Sequence, residues 1–330
     1  MSSNSGFPAH HDSGGALDDD EPGPTKYGLN LLLFVLTAIS VFWSGAAELD
    51  VTLAESLDPR RLLEIWRGWP FAVPLLAILV AHESGHYVAA RLHRVPASLP
   101  FFIPLPKLSP FGTLGAIIGM SGRIRSRVAL LDIGAAGPLA GMLVALPVLA
   151  IGLSKSPILP NSEHYTQEGQ SLLYMFMKRV FAGPIPDGSD VQLHVTAMAG
   201  WVGLLVTMIN MLPWGQLDGG HIAYALFGER QHEIARWVRR SLLLLFAFNL
   251  IRFVLPVALH KSSLGYGFAV SNSLFWLIWF GFTGLIARIS GGADHPPFEP
   301  GELGRGRRAV AWLCLIMFVL LFMPTPYAVY

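Results

Sequence analysis

The sequence predicts an all-α polytopic membrane protein of about seven transmembrane helices with a small re-entrant β element. Three observations predict it. Of 330 residues, 52% are hydrophobic and only 14% charged, where soluble proteins carry roughly a quarter charged. Mean hydropathy is +0.49, so too few charges remain to cover a water-facing surface. The apolar residues gather into runs near the ~20 residues that cross a bilayer, and one stretch between two runs is dense in Pro and Gly instead. Lys+Arg 23 against Asp+Glu 22 leaves a net charge of +1. That balance is no electrostatic footprint for nucleic acid, and none is expected as a partner. The single cysteine, Cys314, lies inside an apolar run, which excludes an intramolecular disulfide or a cysteine-based metal site.

Residues 1–26 hold Gly, Ser, Pro, His and the acidic run Asp18, Asp19, Asp20, Glu21 with no apolar period; a disordered tail is expected. It has neither the basic start and apolar core of a signal peptide nor the arginines of a transit peptide. His10 and His11 read as solvated tail residues. Apolar runs follow at about 28–46, 70–91, 129–152, 194–213, 240–258, 272–289 and 309–325. The segment 170–183 is shorter and amphipathic, so it is expected to lie in the interface. Between the second and third runs, Ser98 to Arg123 holds Pro100, Pro104, Pro106 and Pro110 and then alternates Gly with apolar residues. Extended backbone at membrane depth is tolerated only where it lines a protein cavity, so a re-entrant loop is expected over 98–123.

Orientation follows from the loops. Arg91, Arg94, Lys107, Arg123, Arg125 and Arg127 follow the second run, Arg230, Arg236, Arg239 and Arg240 the fourth, and Arg288, Arg305, Arg307 and Arg308 the sixth. With Lys26 they make 15 of the 23 basic residues. The N-terminus is therefore expected in the cytoplasm, with a bacterial inner membrane as the host.

The second run contains His82-Glu83-Ser84-Gly85-His86. Residues at i and i+4 share a helix face one turn apart. Two neutral imidazoles so placed can share one Zn²⁺ at ~2.0–2.1 Å. Glu83 sits about 100° round the helix, where it reaches an attacking water instead of the metal. Three ionisable groups within an apolar span are costly and usually mark function. Two histidines leave zinc short of its usual three protein ligands. The fourth run ends Asn210-Met-Leu-Pro-Trp-Gly-Gln-Leu-Asp218-Gly-Gly-His221. Asp218 offers a hard anionic oxygen, and Gly219 and Gly220 are expected to let the backbone turn tightly beside it. The second and fourth runs point the same way, so both motifs arrive at similar depth.

Together, His-Glu-Ser-Gly-His and Asn-Met-Leu-Pro-Trp-Gly-Gln-Leu-Asp-Gly resemble the site-2 protease family of intramembrane zinc metalloproteases, matching its HExxH and NxxPxxxLDG patterns. Phe111-Gly-Thr-Leu-Gly-Ala116 and Ala136-Gly-Pro-Leu-Ala-Gly141 extend the likeness, which covers roughly 70–225. The resemblance implies one zinc per chain held by His82, His86 and Asp218, with Glu83 as general base. It implies that Asn210 supports substrate or oxyanion, and that an edge strand presents itself to substrate. Thr113, Leu114, Gly115, Ala116 and Ile117 are the candidates for that strand. Expected partners are transmembrane protein substrates and the lipid bilayer. The form expected is compact, without PDZ or CBS domains. The organisation expected is a tail (1–26), a first transmembrane helix and outer loop (27–69), a catalytic core (70–225) and C-terminal transmembrane helices (226–330).

A metal transporter or inactive scaffold would use the same ligands but would not need an acid directly after the first His, so Glu83 separates the two readings. Among other residues, His221 reads as a capping or structural residue and His194 as too far along its helix to ligate. Asp132 is expected to pair near a helix start beside Arg123, Arg125 and Arg127, and His93 to be a solvated interface residue. Gly137 and Gly141 form a small-xxx-small face for close helix packing.

Overall fold

The computed structural model describes residues 27–49, 61–119, 124, 126–161, 165–262, 264–289 and 301–330. The expected tail and the arginines at 123 and 125 lie outside them. Helix α1 (Tyr27–Leu49) is followed by a 3-10 helix (Arg61–Gly68) that leads into α2 (Trp69–Leu92). Pro70 opens α2 where a missing N–H costs nothing. Strands β1 (Phe101–Pro104) and β2 (Thr113–Ile117) form a hairpin ahead of α3 (Arg127–Leu153). Beyond α3 come β3 (Ile158–Pro160), β4 (Thr166–Glu168), α4 (Leu172–Phe181) and β5 (Ser189–Val191). Then follow α5 (Val195–Asn210), α6 (Asp218–Phe227), α7 (Arg230–Ala258), α8 (Tyr266–Ser273), α9 (Phe275–Ile289), α10 (Arg305–Leu321) and β6 (Tyr327–Val329).

The protein is mostly helical, and each expected apolar run overlaps a helix, though 194–213 and 309–325 run past the ends of α5 and α10 and 272–289 crosses the break between α8 and α9. Among the described residues, four helical stretches are long and apolar enough to cross a membrane: α1, Glu64–Leu92, α3 and α7. A fifth results if α8 and α9, bent by 42° at a short break, count as one span. Helix α5 has 16 residues, about 24 Å at 1.5 Å per residue, short of a ~30 Å hydrocarbon core. It stops early because the chain must turn at Asn210 to bring Asp218 to the depth of His82. The amphipathic 170–183 becomes α4, capped by Ser171, whose hydroxyl accepts from the Tyr174 amide.

Helices α2, α3 and α5 pack around one core that includes Phe71, Leu75, Ile78, Leu149, Trp201, Leu204 and Met208. Where α3 meets α2 and α5, glycines replace side chains. A Cβ on Gly85 would stand 2.4 Å from the Ala136 carbonyl, and one on Gly200 2.7 Å from the Leu149 backbone. Close helix approach there is bought with side-chain absence.

The hairpin runs along α1. At its base the Asn30 amide donates to the Leu99 and Pro100 carbonyls, both at 3.0 Å. Further along, Phe34 meets Phe102 edge-on at 5.1 Å, and Ser40 donates to the Gly112 carbonyl at 2.6 Å. The turn holds Lys107 5.8 Å above the Trp43 ring. From Asn30 to Trp43 is about 20 Å of helix. This corrects one sequence expectation: Lys107 does not share the level of Arg91 and Arg94 but sits far down α1. Its charge is carried there by the hairpin, which sequence spacing does not reveal. The strands pair antiparallel, with Phe101 opposite Ile117 and Phe102 opposite Ala116, and the register shifts before Pro104.

Candidate metal centre

Helix α2 presents His82 and His86 one turn apart, and the first residue of α6 brings Asp218 to them. The two Nε2 atoms stand 3.1 Å apart. Asp218 places one carboxylate oxygen 3.2 Å from His82 Nε2 and the other 3.3 Å from His86 Nε2. These three are the one His/Cys/Asp/Glu group among the described residues that could hold a metal ion. Ligands of tetrahedral zinc at ~2.0–2.1 Å stand about 3.3 Å from one another, so the spacing fits.

The tautomers support the same fit. His86 Nδ1 lies 2.8 Å from the Ile133 carbonyl, which can only accept, so Nδ1 carries the hydrogen. In the neutral ring Nε2 is then a lone pair, aimed at another imidazole and a carboxylate. Asp218 Oδ2 is buried and makes no hydrogen bond. Facing lone pairs repel unless a cation stands among them. The donor set is the imidazole and carboxylate chemistry zinc takes.

The sequence-expected residues do not all gather here. Glu83, 6% exposed, lines the cavity of about 160 Å³ beside the histidines and Asp218, as do Asn210, Gln216, His221, Ala116, Ile117 and Ile118. The Asn210 amide is 3.4 Å from His82 Nε2. Thr113, Leu114 and Gly115 belong to the same strand but not to the cavity wall. The Thr113 hydroxyl is spent inside the hairpin, donating to the Ile103 carbonyl at 2.9 Å and accepting from the Gly115 amide at 3.0 Å. His194 caps α5 at its far end, accepting from the Thr196 amide.

Other expectations are corrected. Gly219 and Gly220 have ordinary φ; the positive φ belongs to Gly215 at 53°. The pair serves close approach instead, since a Cβ on Gly219 would lie 2.0 Å from the Met211 carbonyl oxygen and one on Gly220 2.1 Å from that of Gly215. His93 is not merely solvated: its Nε2 is 2.8 Å from Asp132. Asp132 takes its arginine from α10, where Arg307 donates through two nitrogens at 2.9–3.1 Å. Arg127, the one described residue of the three arginines expected beside Asp132, donates to the Ala225 and Leu226 carbonyls that end α6, a placement the helix dipole favours.

Sequence reasoning assigned Gly137 to packing alone. A Cβ there would stand 2.1 Å from His86 Nε2, whereas one on Gly141 would stand 3.2 Å from the His82 Cβ. The signal was present: Gly137/Gly141 repeat the i, i+4 spacing of His82/His86, and antiparallel packing sets the two pairs face to face. Gln216, also missed, carries no such pattern.

Residues 70–251 match the model of peptidase family M50, over half of the chain. The chain is 33% identical over 233 residues to probable zinc metalloprotease EGY1, chloroplastic, of Oryza sativa subsp. japonica, covering 63% of this chain and 40% of that protein. It is 29% identical over 332 residues to the Arabidopsis thaliana EGY1, covering 92% and 55%. It is 30% identical over 203 residues to probable zinc metalloprotease EGY2, chloroplastic, of Arabidopsis thaliana, covering 60% and 35%. The chain thus spans from about a third to just over half of these relatives' length. No solved structure matches it. The family match covers the histidine helix, the hairpin and the aspartate turn together, and the chain belongs to peptidase family M50.

Proposed function

We propose that this chain is an intramembrane zinc metalloprotease, hydrolysing a peptide bond within or near a transmembrane segment of other membrane proteins. The observation that carries this is the convergence of His82, His86 and Asp218 beside Glu83 in one buried cavity. The three ligand residues would hold one zinc, and Glu83 is the base. When bound, zinc supplies Lewis acidity that polarises the scissile carbonyl and acidifies water. Glu83 lies beside the ligands and accepts the proton of the attacking water, then returns it to the leaving amine. The Ile133 carbonyl holds His86 in the ligating tautomer. Asn210 orients substrate or steadies the developing oxyanion from beside His82.

Seven crossings are the proposed topology, with α5 and α10 as short spans and α8–α9 as a bent one, and with the hairpin re-entrant beside α1. The contacts from Asn30 to Trp43 support the re-entrant placement. A transmembrane substrate must open its helix to expose a carbonyl, and each unpaired backbone group then costs several kcal/mol in hydrocarbon. Strand addition to β2 would supply partners; Ala116 and Ile117 are the strand residues on the cavity wall. The N-terminus is read on the side of the arginine-rich loop ends, which is the cytoplasm if the host is a bacterial inner membrane. A plastid membrane is favoured by the relatives' names, and cell fractionation of the source organism decides between them.

The test of the function is Glu83→Gln. Purified mutant should keep about one zinc per chain yet fail to cut, and membranes carrying it should accumulate single-pass fragments absent from wild type. Wild-type cleavage by Glu83→Gln would remove the base assignment.

A further inference from the structure

At the first third of α7 and the end of α9, arginines outnumber the acids among the described residues. Helix α7 carries Arg236, Arg239 and Arg240 within two turns, and α9 carries Arg288 in its last turn. The two helices pack against each other. They run in opposite directions, being joined through α8 at the other end, so the start of α7 and the end of α9 share one level. Arg239 is the centre. Its guanidinium lies over the Phe280 ring, 4.6 Å from the centroid. One turn on, its Nη2 occupies the space a side chain on Gly284 would take, 2.8 Å from the ideal Cβ. Phe280, Gly284 and Arg288 follow at i, i+4 and i+8, one face of α9. Arg288 therefore lies one turn beyond the guanidinium, on the side of Arg236.

The charge is built in but not balanced. Arg239 Nε is buried and has no hydrogen-bond partner among the described residues, and no carboxylate among them pairs with Arg239, Arg240 or Arg288. Arg236 has only Glu233 at 3.8 Å, both largely exposed. That contact is worth little. Removing part of a cation from water without an anion is unfavourable, and here the flat guanidinium is held rigid by an aromatic ring and a missing side chain. Trp237, 67% exposed, flanks the arginines, with Arg240 5.1 Å above its ring. An exposed Trp beside arginines at a helix end is the composition of a membrane interface. Arginine recognises phosphate through its planar donor fork, and basic clefts between transmembrane helices take anionic headgroups.

We infer that Arg236, Arg239, Arg240 and Arg288 form a site for the phosphate headgroup of an anionic phospholipid in the cleft between α7 and α9, remote from the metal centre. Phe280 and Gly284 set the guanidinium plane of Arg239, and Trp237 lies under Arg240 at the headgroup level.

The experiment uses the full chain in nanodiscs made with equal dioleoyl-phosphatidylglycerol and dioleoyl-phosphatidylcholine, with retained lipid counted by native mass spectrometry. Wild type should retain phosphatidylglycerol roughly tenfold over phosphatidylcholine. Arg239→Gln should bring the ratio near parity. Gly284→Leu should do the same while keeping every charge, because the new side chain evicts the guanidinium. Arg305→Gln, an exposed arginine on α10, should leave the ratio unchanged. Wild-type preference in both Arg239→Gln and Gly284→Leu, or no preference in wild type, overturns the site. Inorganic phosphate at 10 mM should not displace the lipid; displacement would overturn the lipid assignment in favour of a soluble phosphate ligand.

Discussion

Two buried polar clusters resolve their charges in opposite ways. In the cap formed by β4, α4 and β5, Glu168 Oε1 accepts from the Tyr174 hydroxyl at 2.6 Å and from Lys178 Nζ at 3.1 Å. Lys178 also donates to Asp190, whose remaining bonds come from the Val191 amide and the Gln167 side chain. Every charge there meets its complement. At the proposed metal centre, the neutral His86 ring turns its Nε2 lone pair toward the Asp218 carboxylate, acceptor facing acceptor. Glu168 and Lys178 are 6% and 3% exposed, His82 is 4%, so burial does not distinguish the clusters. Complementarity does. A satisfied cluster holds a fold together; one made of acceptors is completed only by a cation.

The largest expected break in this contrast is at the ligands. His82→Ala, His86→Ala and Asp218→Ala should each cut zinc affinity by more than the ~10–100-fold typical of losing an outer hydrogen-bond partner, read as metal per folded chain by mass spectrometry. Full zinc in all three would mean the acceptors are satisfied in some other way.

Gly137→Ala should follow. Its Cβ overlaps His86 Nε2, so it should lose most of the zinc with α3 still helical, alanine being the better helix former. Gly141→Ala, facing the His82 Cβ at 3.2 Å, should keep more. Equal zinc in the two variants would show that α3 moves away freely.

In the cap the expected loss is of stability, not metal. Lys178→Met leaves Glu168 buried without its cation and should destabilise the protein by about 3–5 kcal/mol, measured by thermal unfolding in detergent. Zinc per folded chain should not change. Adding Glu168→Gln should restore part of the loss, because the uncompensated charge has gone.

The smallest effect is in pH dependence. Burial pushes the Asp190 carboxyl up, but Lys178 outweighs it and holds the group below the usual carboxylate range. A lowered folded pKa adds stability above the unfolded value near ~3.9 and loses it as pH falls toward the folded one. The melting temperature should therefore drop as pH falls below ~4, and Asp190→Asn should flatten that slope. At the alkaline end, burial and Glu168 push the Tyr174 hydroxyl well above its ordinary range. It stays a donor there; ionisation favours the unfolded chain once pH exceeds ~10.

By itself the sequence determined what depends on neighbours along the chain. Apolar runs mark helices because hydrophobic periodicity and length are local. His82 and His86 share a face because 3.6 residues make a turn. The Pro- and Gly-rich stretch could not continue a helix. Tertiary structure decided what depends on approach across long separations. Gly137 became part of the centre only when α3 ran antiparallel to α2. Asp132 found Arg307, 175 residues away, over the nearby Arg127, because α10 returns to the level where α3 begins. Lys107 was carried down α1 by hydrogen bonds from Asn30 and Ser40 to hairpin carbonyls. Such pairings follow from where helices cross and from which backbone groups need partners, and neither is written in the spacing of residues along one segment.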